Sequence, residues 1–165
     1  KIVSTYYKNK IKVKGKNIIK KHVDIEKDLY LICSIIKKYS PIRIYYFSTP
    51  KININSRNSH LLNLYKKYYL NYPAQILNFS KKYNVKFFYP STSYLDVNKK
   101  SDYSKIKFKA ENLLLNFKTD KVKVNTLRIP EINTKQNLSL IVKKLPNFRD
   151  ILFNNKKIQN SVFFK

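Results

Sequence analysis

Tyr103 and Lys107 stand four residues apart at the head of the segment YSKIKFKAENLLLNF. In a helix that spacing puts both side chains on one face. An ammonium beside a phenol lowers the phenol's pKa from about 10 toward the working range of a general acid or base. The pair alone says little. With 14 Tyr and 31 Lys among 165 residues, about two to three such pairs arise by chance, and Tyr6 with Lys10 forms another. Its surroundings say more. The run FFYPSTSYLD ahead of it ends in the hydroxyl cluster Ser91, Thr92 and Ser93, and Glu111 follows Lys107 by four. A polar strand-end cap with a solvent-facing Tyr and Lys would give the same letters. Metal chemistry is disfavoured: Cys33 is the only cysteine, which also rules out an internal disulfide, and His22 and His60 are the only histidines.

The elements around the pair alternate in type. Lys1–Tyr7 reads as a strand, a basic turn surrounds Gly15, and Asn17–Ile25 reads as a second strand. Lys27–Lys38 places Leu29, Ile32, Cys33 and Ile36 on one helical face. Pro41 ends that helix, and Ile42–Ser48 is the continuous apolar run of a buried parallel strand. Polar Thr49–Ser59 leads to a long helical pattern through Leu61, Leu64, Tyr65 and Tyr68, which Pro73 should kink or split. Val85–Ser91 is a strand, Ser104–Phe117 a helix and Lys121–Ile129 a strand. Beyond Pro130, Gln136–Lys144 reads as a short helix and Ile158–Phe164 as a strand. This alternation predicts an α/β fold with all five strands from Lys1 to Ile129 parallel in one sheet and helices on both faces.

Composition sets the outer bounds. The chain fits one domain, and 24 Tyr and Phe residues argue against a disordered tail. No apolar run approaches the roughly 20 residues of a membrane span, and no secretory signal opens the chain, so the expected setting is cytoplasmic, with no membrane partner. The net charge of +26 would fit nucleic acid. However, it comes from 31 Lys against 4 Arg, alongside 19 Asn, one Gly and two Ala, the profile of an AT-rich gene. The lysines are spread over every segment, and a dedicated binder uses the arginine fork as well. Codon bias is the preferred explanation.

From about Asp24 to Ile132 the chain resembles the extended short-chain dehydrogenase/reductase family, the NAD-dependent epimerases and dehydratases. The residues that carry the resemblance are Tyr103, Lys107 and Glu111 in the pattern Y-x-x-S/T-K-x-x-x-E, the Tyr89–Ser93 run YPSTS, and LRIPEIN at Leu127–Asn133. The resemblance implies a Rossmann-like sheet binding NAD or NADP. It implies Tyr103 as the proton-transfer residue, Lys107 holding the nicotinamide ribose, and Thr92 orienting the reacting oxygen. Ser91, Ser93 and Asn71 would contact substrate, Asp24 adenine, and Phe47, Ser48 and Thr49 would line the cofactor, although the small residues usual at that strand end are absent. Tyr103 follows Thr92 by eleven positions, a short loop for this branch.

The family's G-x-x-G-x-x-G loop, where backbone amides meet the pyrophosphate, has no counterpart here, since Gly15 is alone. The resemblance therefore implies a domain incomplete at its N-terminus: residues 1–130 a partial dinucleotide-binding domain, 131–165 the start of a substrate-binding region, in a piece of a longer protein or a decayed relative. The expected activity is that of an NAD(P)-dependent epimerase, dehydratase or reductase acting on a nucleotide sugar or related hydroxy or keto substrate, with a homodimer as one assembly. Two other readings stay open: a basic RNA- or ribosome-associated protein, and a catalytically dead structural subunit. Nonspecific nucleic-acid adhesion would accompany any of them.

Overall fold

A computed structural model describes residues 1–7, 15–50, 59–97, 100–117, 119–132 and 145–163, in two compact units, Lys1–Ser40 and Pro41–Lys165. In the first, strands β1 (Ile2–Tyr6) and β2 (Ile18–His22) pair in parallel from Ile2↔Ile18 to Tyr6↔His22. The chain then turns at Asp24, whose carbonyl accepts the amides of Lys27 and Asp28 and whose Oδ1 accepts that of Glu26. This turn launches helix α1 (Leu29–Tyr39), which buries Ile36. The helix ends at Ser40, in the left-handed region at φ 41°, whose amide returns to the Ile36 carbonyl at 2.9 Å.

The second unit is built on strands β3 (Arg43–Tyr45), β4 (Val85–Thr92) and β5 (Val122–Ile129), all parallel in the order β3-β4-β5. Central β4 is buried on both sides, as a parallel strand between helices must be. Side-chain alternation sends Phe87 and Tyr89 to one face, where Tyr46 stacks on both at 6.2 and 6.1 Å. Phe88 goes to the other, packing with Ile129, Ile158 and Val162.

The long helical segment is split, as Pro73 predicts. Helix α2 (Ser59–Lys66) runs into a π turn at Lys67–Asn71 and then helix α3 (Tyr72–Ser80), with Pro73 in its first turn. Proline offers no N–H to the carbonyl four residues back, and the ladder widens just upstream: the Tyr72 amide reaches Lys67, five residues away. After β4 come a short helix α4 (Tyr94–Val97) and α5 (Asp102–Leu115). Helices α6 (Phe148–Asn154) and α7 (Lys156–Phe163) cover the Phe88 face.

Two expectations need correction. The five strands form two hydrogen-bonded sheets, one in each unit, rather than one. The stretch expected as a strand at Ile158–Phe164 is helical in its described part. Ile158 and Val162 lie one turn apart and are both buried in the cluster with Phe88, and Asn155 Oδ1 accepts the Ile158 amide at 3.1 Å. The turn residues 8–14 and the helix expected at Gln136–Lys144 lie outside the described residues. Among the described residues, no helix is long and apolar enough to cross a membrane.

Candidate active site

Helix α5 starts where its sequence says it should. Ser101 Oγ accepts the Ser104 amide at 3.1 Å and Asp102 occupies the first turn, so the helix begins one residue before Tyr103. Its buried face then carries Tyr103, Ile106, Lys107, Ala110, Glu111 and Leu114. Tyr103 is 8% exposed and ringed by Tyr65, Tyr69 and Tyr94, with centroids 5.8, 5.8 and 6.4 Å away. Thr92, at the C-terminal end of β4, lies close enough to the Tyr103 phenol to favour its charged form. One turn along, Lys107 is 5% exposed. Its Nζ donates to the Pro90 carbonyl at 2.7 Å and the Tyr89 hydroxyl at 3.3 Å. The same amine lies 4.6 and 4.4 Å from the ring centres of Tyr69 and Tyr89.

The electrostatics depart from the sequence expectation. Burial pulls the Lys107 amine down to about 7, and the Glu111 carboxylate only partly opposes this. Burial also pushes the Tyr103 phenol up to about 12; the nearby Thr92 hydroxyl works against that rise and Tyr65 adds to it. An ammonium lowering the phenol is therefore not what this geometry shows. The Lys107 amine is spent on β4 and is half neutral near pH 7, while the phenol has lost its water. Burial holds Tyr46, Tyr69 and Tyr89 well above the usual phenol range too.

Behind the pair lies a charged clamp. Arg128 on β5 grips the Glu111 carboxylate through Nε at 3.0 Å and Nη2 at 2.8 Å, and its Nη1 reaches Asp96. Burial alone would raise Glu111, but the bonds from Arg128, helped by Ser91 and Lys107, bring its carboxyl below its ordinary value. Ser91 Oγ lies close enough to that carboxylate to favour its charge, yet it is buried and makes no geometrically sound hydrogen bond among the described residues.

The remaining residues singled out in the sequence divide by location. Thr49 Oγ1 is 2.6 Å from the Tyr69 hydroxyl, which ties the segment after β3 to the Tyr69 ring beside the pair. Ser48 lies beside the buried Tyr46, whose hydroxyl donates to the Tyr68 carbonyl at 2.7 Å. Phe47 is on the opposite face, 6.1 Å from Phe88 and 6.3 Å from Phe148. Ser93 joins through its backbone, its amide bonding the Ile129 carbonyl at 3.0 Å. Asn71 closes the π turn and is exposed. Asp24 belongs to the first unit, where it holds the turn before α1. Sequence reasoning passed over Tyr69 and Tyr89. Alternation with Phe87 and Ser91 could have found Tyr89, and the four-residue spacing from Tyr65 could have found Tyr69.

No protein-family model matches the chain, and no curated protein does. Solved structures do match. A short-chain dehydrogenase from Burkholderia cenocepacia in complex with NADP superposes with a TM-score of 0.62 at 10% identity, over 80% of this chain and 61% of its own. A monomeric L-threonine 3-dehydrogenase from a metagenome gives 0.59 at 21% identity, over 79% and 45%. WbmH from Bordetella bronchiseptica, in complex with NAD+, gives 0.58 at 15% identity, over 76% and 44%. The chain has a Rossmann-like α/β fold similar to that of these dehydrogenases. That fold accounts for the parallel order β3-β4-β5 and for helices on both faces of the sheet. The chain spans between 44% and 61% of the length of these three structures.

Proposed function

We propose that the chain serves an NAD(P)-dependent oxidoreductase, with epimerase, dehydratase or reductase chemistry on a nucleotide sugar or a related hydroxy or keto substrate. The observation that carries this reading is Tyr103 set beside Thr92 at the C-terminal end of β4, with the buried Lys107 one helical turn away. Open α/β sheets bind ligands at that end of their strands. The neighbours bound to NADP and NAD+ support the cofactor class.

The residues fit one end of such a cofactor. Two hydroxyls and an amine on adjacent elements suit a ribose and a reacting oxygen, and the unpartnered Ser91 Oγ is a spare polar group beside them. Lys107, Ser48 and Thr49 would hold the nicotinamide side, which Phe47, on the other face against Phe88 and Phe148, would not reach. Asp24, in the first unit, would contact adenine. Among the described residues there is no glycine-rich loop for the pyrophosphate. When bound, the cofactor accepts or donates hydride. Tyr103, neutral at physiological pH, is set to give its proton to a carbonyl oxygen that Thr92 orients. Ser91, Ser93 and Asn71 would contact substrate, and residues 131–165 would open the substrate-binding region.

The test uses the full product of the gene, with NAD(P)H binding followed by fluorescence and turnover measured separately. Tyr103→Phe should leave cofactor affinity within about twofold and cut turnover by at least about 100-fold. Lys107→Ala should damage both. Unchanged turnover in Tyr103→Phe would refute the assignment. The charge of +26 keeps one other reading in play. Diffuse adhesion of RNA should collapse as salt rises. Tight binding to one RNA at physiological salt, dependent on particular tyrosines, would favour an RNA-associated protein instead.

A further inference from the structure

Tyr69 touches three parts of the site at once. It sits in the π turn and is 3% exposed. Its hydroxyl is 2.6 Å from Thr49 Oγ1 in the segment after β3, its ring covers Lys107 Nζ at 4.6 Å, and the ring meets Tyr103 edge-on at 5.8 Å. The Lys107 amine thus lies against the Tyr69 ring, and the residue is only 5% exposed. Thr49, by contrast, is exposed, so the bond that fixes the ring has one end at the surface.

We propose that Tyr69 is a gate on the Lys107 amine. The ring closes the site, the hydroxyl bond to Thr49 latches it, and a hydroxyl-bearing cofactor ribose reaches Lys107 only in the open state. This rests on the function proposed above for the identity of the ligand, though not for the gate itself. The backbone suits such a movement. A π turn carries one residue more than the helix around it, and relaxing it rotates side chains without unfolding the helix. Tyr69 is therefore a positioning residue: it sets how often Lys107 is available and takes no part in proton transfer.

The test is acylation of lysines by a small amine-reactive ester at pH 8, read peptide by peptide by mass spectrometry on the full folded protein. In the wild type Lys107 should be protected, while exposed Lys105 and Lys109 on the same helix react freely. Tyr69→Phe keeps the ring and removes the latch. Lys107 labelling should rise about fivefold, the worth of one ordinary hydrogen bond in a two-state equilibrium, with Lys105 and Lys109 unchanged. Thr49→Val removes the same bond from the exposed side and should reproduce the effect. NAD(P)H should bind Tyr69→Phe more tightly by a similar factor and restore protection of Lys107. If Lys107 labels in either variant as slowly as in the wild type, or only at the rate of global unfolding followed by circular dichroism, the gate is overturned. If both variants unmask Lys107 but no form binds NAD(P)H, the gate stands and the proposed function falls.

Discussion

Replacing Lys107 with methionine should change the sign of its effect on stability between neutral and alkaline pH. The amine is 5% exposed and drops from 10.5 to about 7 on folding. The unfolded chain therefore holds this proton more tightly than the fold does. Stability should rise with pH between about 7 and 10.5, and the cost should be full below 7. At one pKa unit per 1.36 kcal/mol, that cost is about 4 kcal/mol at pH 7 and about 1 at pH 9.5. Methionine fills similar space and escapes the cost, but leaves the Pro90 carbonyl and the Tyr89 hydroxyl without their donor. Those losses come to about 2 to 3 kcal/mol together. The variant should thus be more stable than wild type by roughly 1 to 2 kcal/mol at pH 7 and less stable by a similar amount at pH 9.5. Urea unfolding of both proteins at pH 6.5, 7.5, 8.5 and 9.5 measures the difference, and tyrosine titration common to both cancels. A difference that stays flat across this range would refute the reasoning, because it would mean that Lys107 keeps an ordinary ammonium in the fold.

Glu111→Gln tests the clamp. Because the folded carboxyl lies below its ordinary value, its contribution is present above about pH 4.5 and lost as pH falls through the folded value. The variant should lose about 2 kcal/mol at pH 7, with a shallower acid limb in a stability–pH profile; an unchanged limb would count against the bond to Arg128. Phe88→Ala should cost about 3 to 5 kcal/mol in chemical denaturation, since Phe88 is fully buried between the sheet and α7. A cost below about 1 kcal/mol would mean that α7 does not pack there.

The two helices hardest to read show where sequence patterns fail. Ile158, Val162 and Phe163 are rich in strand-forming residues, and the run is short enough to read as alternation. Burial against Phe88 and Ile129 overrides that propensity, as tertiary packing commonly does. Helix α6 has no fully buried residue, so its sequence carries little of the stripe that would reveal it. By contrast, α5 declares itself through the Ser101 cap and a buried face running from Tyr103 to Leu114, and the split at Pro73 follows from ring chemistry alone.

Sequence alone was enough for the parallel strands β1 to β5, the helix bearing Tyr103 and Lys107, and the hydroxyl cluster at the end of β4, because local periodicity, caps and proline act over a few residues. Only the tertiary structure decided what that helix face meets. Tyr69 comes from a π turn more than thirty residues upstream, Tyr89 and Pro90 from the central strand, and Arg128 from the strand beyond. Together they remove water from a phenol and an amine, raising one pKa and lowering the other. The spacing of Tyr103 and Lys107 predicted a charge acting on a phenol. Burial set both groups instead, because desolvation depends on everything packed around a side chain and on no pair of positions in the chain.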